Sequence, residues 1–270
     1  MTVTLQNISS VADAPAQPIE SRGGMLVQVE SGSNWIGVLG VLVFLASMYI
    51  APTTAQAQTV YHVTETGNAS NDGSSFADGD AISLQGALSA AGGSDEIWIA
   101  AGTYTPSRRL DAGDARTATF EITGDQDGLQ IYGGFDGTET TRSERDPSAN
   151  ETILSGNING DESDDSGNAY HVLVFNGGGS ETRGIGNDIA NNITGATVLD
   201  GVTVAGGNAN GPSTTDGAGG GLYCDGTGTD NVCSPTLTEL IFTGNAAIPN
   251  YTSGGGAIYN DAQDSGTSSP

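Results

Sequence analysis

A 35-residue repeat late in the chain constrains its fold more than any other feature. Gly219-Gly220-Gly221-Leu222-Tyr223-Cys224 returns as Gly254-Gly255-Gly256-Ala257-Ile258-Tyr259-Asn260, and Ser234-Pro235 returns as Ser269-Pro270. Both offsets equal 35 (254 − 219 and 269 − 234). A fixed period of roughly 20–50 residues marks a repeat architecture in which each unit buries its apolar face against the next. The apolar runs are short and are separated by Gly, Asn, Ser and Asp, which predicts strands rather than helices. Stacked strands of this kind form a parallel β-helix, the all-β solenoid expected here.

Further strands are predicted at Val60–Val63, Ile97–Ala100, Thr119–Ile122, Leu129–Tyr132, Thr152–Leu154, Tyr170–Phe175, Thr197–Leu199, Val202–Val204, Leu222–Tyr223, Leu240–Phe242 and Ala257–Tyr259. Residues 105–118 and 155–169 are poorer in apolar side chains and are expected to loop out. One segment has helical spacing. Leu84, Ala87, Leu88 and Ala91 fall at i, i+3, i+4 and i+7, with Asp80 or Ser83 as cap and Gly92-Gly93 as stop. A short helix here is expected to lie over the first coil, since the open end of a strand stack exposes unpaired backbone. Asn245 and Asn208 are expected to bond one another between coils as a stacked ladder.

At the repeat the chain resembles the polymorphic outer-membrane proteins, whose signature is GGxxY followed by FxxN. Gly255-Gly256-Ala257-Ile258 fits the first part, and Phe242-Thr243-Gly244-Asn245 fits the second. Upstream, the stretches around Trp98, Tyr132-Gly133-Gly134-Phe135, Arg145-Asp146-Pro147 and Leu199-Asp200-Gly201-Val202 resemble secreted right-handed β-helix repeat proteins. The resemblance spans about residues 60–270. It implies a right-handed, pectin-lyase-like solenoid that is surface-exposed. It does not imply an activity, because this fold carries adhesins, lyases and hydrolases alike.

Three segments are expected: a leader over 1–57, an N-terminal cap and first coil over 58–105, and β-helix repeats over 106–270. Trp35 to Ile50 is apolar, and the small residues after it end in Ala55-Gln56-Ala57. This pattern predicts export with cleavage between Ala57 and Gln58; the other reading is an uncleaved anchor. Pro270 falls inside a repeat, which predicts a longer protein. In an exported chain, the two cysteines, Cys224 and Cys233, are expected to form a disulfide worth about 2–3 kcal/mol.

The chain carries 32 acidic residues against 7 arginines, no lysine, and a net charge of −25. Nucleic acid and anionic membrane surfaces, which both need a basic patch, are excluded as partners of the repeats. The acidity fits either a solvated surface or adaptation to high salt. Glycans and host or cell-surface proteins remain as partners.

The densest acidic cluster, Asp161, Glu162, Asp164 and Asp165, supports two readings. One is a Ca²⁺ site on Asp161, Asp164 and Asp165; the other is a solvated loop. No other cofactor is implied. Asp125-Gln126-Asp127-Gly128 is a fragment of a calcium loop without its closing Glu. For catalysis, Asp200 and Glu239 are candidates for a glycosidase pair, and Arg183 for a lyase base. His171 reads as a packed strand residue. The leading expectation is therefore a non-catalytic, adhesin-like scaffold that is secreted or surface-displayed. The alternative is a polysaccharide lyase or glycoside hydrolase of pectin-lyase-like fold.

Overall fold

A computed structural model describes residues 58–178, 192–213, 215–247 and 254–270. The leader, Ala57 and Arg183 lie outside the described residues. The described part belongs to one compact unit and is all-β with a single α-helix.

In chain order the elements are β1 (Val60–Val63), α1 (Leu84–Ala90), β2 (Glu96–Ala100), β3 (Gly102–Tyr104), β4 (Phe120–Thr123), β5 (Gln130–Phe135), β6 (Thr152–Ser155) and β7 (Leu173–Asn176). They continue with β8 (Val198–Asp200), β9 (Thr203–Ala205), β10 (Asn208–Ala209), β11 (Leu222–Asp225) and β12 (Val232–Cys233). The last are β13 (Thr236–Thr238), β14 (Ile241–Thr243), β15 (Ala246–Ala247), β16 (Ile258–Asp261) and β17 (Thr267–Ser268).

The strands form three larger sheets. The first has the order β1-β2-β5-β8-β13, the second β3-β6-β9-β14 and the third β4-β7-β11-β16. Two-stranded ladders, β10-β15 and β12-β17, fill corners. All of these strand pairs are parallel. From β2 onward, each pass of the chain gives one strand to the first sheet, then one to the second, then one to the third.

Register puts like side chains in rows. Ile97, Ile131 and Leu199 stand in register on the inward face of the first sheet, and Ile122, Phe175 and Cys224 do the same in the third. These six are completely or almost completely buried and belong to one apolar core. The alternate residues of the first sheet point outward; those around Trp98 and Tyr132 are covered as well, whereas Thr236 and Thr238 of β13 are exposed. Trp98, Tyr132 and Phe135 form a second buried cluster with Phe76 and Val60 against it. Trp98 and Phe135 stack with centroids 4.9 Å apart. A parallel sheet covered on both faces loses the polar alternation that would otherwise mark it.

The helix forms where the spacing predicts. The Ser83 hydroxyl accepts the Gly86 N–H at 3.2 Å, and Leu84, Ala87 and Leu88 are buried. It ends at Ala90, before the Gly pair. The Gln126 side-chain amide takes the terminal carbonyls of Leu88 at 2.7 Å and Ala91 at 3.2 Å. Helix ends leave such carbonyls unmet unless something donates to them. The helix packs against β1, β2 and β4, the last being the terminal strand of the third sheet.

Two sequence expectations need correction. The 35-residue offset holds for β12 and β17, where Cys233 faces Ser268, but β11 and β16 pair with an offset of 36. Tyr223 therefore stands opposite Tyr259, and Cys224 opposite Asn260. This register matches Leu-Tyr to Ile-Tyr and brings the two tyrosine rings to 5.6 Å. The asparagines form no ladder among themselves. Asn208 faces Ala246, while Asn245 bonds the main chain of the previous pass, accepting from Gly207 N–H at 2.9 Å and donating to the Val204 carbonyl at 2.8 Å. Corner carbonyls and amides left outside the sheets need partners, and an amide side chain satisfies both kinds at once.

The glycine motif has a steric cause. A Cβ at Gly220 would overlap the Ala246 carbonyl of the next pass, and one at Gly221 would sit 2.6 Å from the Ala257 carbonyl. Only residues without a Cβ allow main chains to approach this closely. Gly255 and Gly256 are crowded within their own pass instead: a Cβ at Gly256 would lie 3.0 Å from the Asn245 carbonyl.

Candidate functional site

Of the carboxylates singled out in the acidic loop, those of Asp161 and Asp164 are engaged in local turns. Asp161 accepts from the Ser163 hydroxyl at 2.7 Å and its N–H at 2.9 Å, which holds its carboxyl below the usual range. Asp164 caps a 3₁₀ turn by accepting from the Ser166 N–H at 2.8 Å, with the same effect. Asp165 contributes its main-chain carbonyl to the Asn208 amide at 2.9 Å. Among the described residues no three acidic, His or Cys side chains converge to hold a metal ion.

Asp127 serves a structural purpose. It accepts from the Thr194 N–H at 2.7 Å and from the Thr197 hydroxyl at 3.0 Å, pinning the approach to β8. Asp200 pairs with Arg145 at 2.9 Å. Glu239 is exposed on a left-handed backbone with φ 50°. Asp200 is thus held by an arginine, while Glu239, next to the Thr238 that faces Asp200 across the sheet, is exposed to solvent. Among the motif residues, Ile258 and Phe242 rest against the apolar core. Gln58 donates to Glu96 at 3.1 Å. Cys224 and Cys233 form a disulfide with Cα atoms 5.7 Å apart, closing β11 onto β12.

His171 is buried as expected, but it lies two residues before β7 and not in a strand. One ring nitrogen bonds the Gly219 carbonyl at 2.9 Å, and the other has no partner among the described residues. Burial pushes its pKa below the ordinary histidine value. The ring lies 5.2 Å from that of Tyr223. The Tyr223 hydroxyl donates to Asp261 at 2.7 Å, and burial followed by this bond pushes its pKa up.

One concave site was not foreseen. A groove of about 570 Å³ opens between α1 and the outer face of the third sheet, lined by Leu88, Arg108, Glu121, Thr123, Asp125 and Asn176 among others. Strand alternation makes it: Phe120 and Ile122 turn into the core, so Glu121 turns out. The Glu121 side chain is only 1% exposed and forms an ion pair with Arg108, which is 38% exposed. The Asn176 amide donates to the same carboxylate at 3.1 Å from the adjacent strand. Arg108 also donates its main-chain N–H to Gln85 of α1 at 3.3 Å. Residues 13 and 55 positions from Glu121 thus meet around it (121 − 108; 176 − 121). No short sequence window contains that signal.

No family model, curated protein or solved structure matches the chain.

Proposed function

We propose that the chain is a right-handed parallel β-helix of the GGxxY/FxxN type, exported and either secreted or displayed at the cell surface. In this reading it is a scaffold with an adhesin-like binding role and performs no catalysis in this segment. One observation carries the solenoid reading. Successive passes feed three parallel sheets in the same order, the arrangement a coiled stack requires. Right-handedness rests on the strong preference of parallel crossovers for that hand. The apolar run before Ala57 supports export. The scaffold reading gains support from the carboxylates themselves: Asp161 and Asp164 are committed to local turns, Asp127 to Thr194 and Thr197 before β8, and Asp200 to an ion pair.

The test is expression of the full chain in a bacterial host that exports proteins. Mass spectrometry of protein recovered from the surface or medium should give an N-terminus at Gln58. The purified protein should bind cells or immobilised glycans and release no sugars from a panel of polysaccharides. Retention inside the cell would overturn export, and steady release of reducing or unsaturated sugars would overturn the scaffold.

A further inference from the structure

We propose that the groove between α1 and the third sheet is a binding site for an uncharged saccharide. The proposal rests on the scaffold reading and gives it a ligand class. The groove's volume of about 570 Å³ lies within the range of roughly 300–1,000 Å³ typical of small-molecule sites. Its lining mixes donors and acceptors. Arg108 spends one terminal nitrogen on Glu121, and its half-exposed guanidinium keeps further N–H donors. Asn176 spends its amide nitrogen on Glu121, leaving its amide oxygen as an acceptor. Asp125 is exposed at the rim with its carboxylate open.

Sugar hydroxyls donate and accept at once, so adjacent hydroxyls match a guanidinium beside an amide oxygen and a carboxylate. Leu88 and Ala91 add an apolar floor against which the C–H face of a sugar ring can lie. Charge narrows the class. Arg108 contributes +1 while Glu121 and Asp125 contribute −1 each, and the whole chain carries −25. An anionic ligand such as a uronate meets net repulsion here. A metal ion finds Asp125 as its sole uncommitted carboxylate in the lining. The Arg108–Glu121 pair also points to a ligand. Burying an ion pair stabilises a fold weakly at best, so its place in the wall of a groove fits a binding role better than a purely structural one.

The test is saturation-transfer NMR on the full-length protein with a panel of glucose, galactose, mannose, N-acetylglucosamine and their disaccharides. Galacturonic acid is the anionic control. At least one neutral sugar should bind, and galacturonic acid should bind more weakly. Asp125→Asn and Asn176→Ala should each weaken the bound sugar about tenfold, the effect of losing one bond to a charged or buried partner. Asp125 is exposed, so its variant keeps the fold, and circular dichroism confirms this for both. No binding by any neutral sugar of the panel overturns the proposal. So does neutral-sugar binding that both variants leave unchanged. A protein that still binds cells in either event loses this groove and keeps the scaffold; sugar release overturns the scaffold instead.

Discussion

Arg116 is the side chain whose loss should cost the stack most outside its core. It leaves the chain between β3 and β4 and reaches two later passes. Its Nε donates to the Asn168 carbonyl at 2.6 Å and its Nη2 to the Asn208 carbonyl at 2.7 Å. The guanidinium also lies over the Tyr170 ring, 4.2 Å from its centroid. Arg116→Ala removes two hydrogen bonds from a charged donor, about 1.5–3 kcal/mol each, and a cation–π contact of about 0.5–1 kcal/mol. Water reaches the freed carbonyls in part, because Arg116 is half-exposed, so the expected loss is about 2–4 kcal/mol. For a domain of this size, each kcal/mol lowers Tm by about 2–4 °C. Urea titration followed by circular dichroism measures the loss directly. Arg116→Lys should fall between wild type and Ala, since one ammonium does not reproduce a planar fork spanning two carbonyls. The bonds run to carbonyls rather than carboxylates, so molar salt should leave the loss largely intact, whereas it would erase a surface ion pair. A loss below about 0.5 kcal/mol, or one that vanishes in molar salt, refutes the reasoning.

Two further outcomes follow from the described contacts. His171 has a folded-state pKa depressed by burial, so the unfolded chain takes up its proton first as pH falls. Stability associated with it is therefore complete above the unfolded value of about 6.5 and declines below it, by at most about 1.4 kcal/mol per pH unit. His171→Leu should flatten that part of the acid limb between pH 6.5 and 5, as read by urea midpoints across pH. Reducing the Cys224–Cys233 bond, or replacing both residues with serine, should cost about 2–3 kcal/mol; an unchanged midpoint under reductant would count against its stapling β11 to β12.

Much of the fold was legible because local chemistry and tertiary contact agree. The helix at Leu84 could be read from its i, i+3, i+4 spacing, since the same stripe that makes it amphipathic buries it. The strands carrying Trp98 and Tyr132 are legible but the face of these rings is not, because an apolar cluster lies on each side of the first sheet at this point. β3 is not legible as a separate strand because a single residue, Ala101, separates it from β2, and that gap carries no Pro or Asn signal. The Gly motif was legible as a repeat but not as a contact between consecutive main chains. The pairs that define the outer surface were invisible for a different reason. Arg145 and Asp200 are 55 residues apart (200 − 145), as are Glu121 and Asn176 (176 − 121). Their meeting depends on the register of whole passes, not on any local pattern.

That register tolerates great differences in chain length. Facing residues are separated by 34 positions at Trp98 and Tyr132 (132 − 98) and by 38 at Leu199 and Leu237 (237 − 199). The separation is 49 at Leu173 and Leu222 (222 − 173), and 53 at Ile122 and Phe175 (175 − 122). The strands therefore behave as fixed rails, and the segments between them as interchangeable cargo. An insertion at 159–163 lengthens the cargo without shifting a single rail, because the corner is closed beneath it by the Ala169 N–H bond to the Gly156 carbonyl at 2.8 Å. A lineage built on this plan can vary what it shows to its surroundings at almost no cost to folding, and a grafted peptide placed there would ride on the same rails.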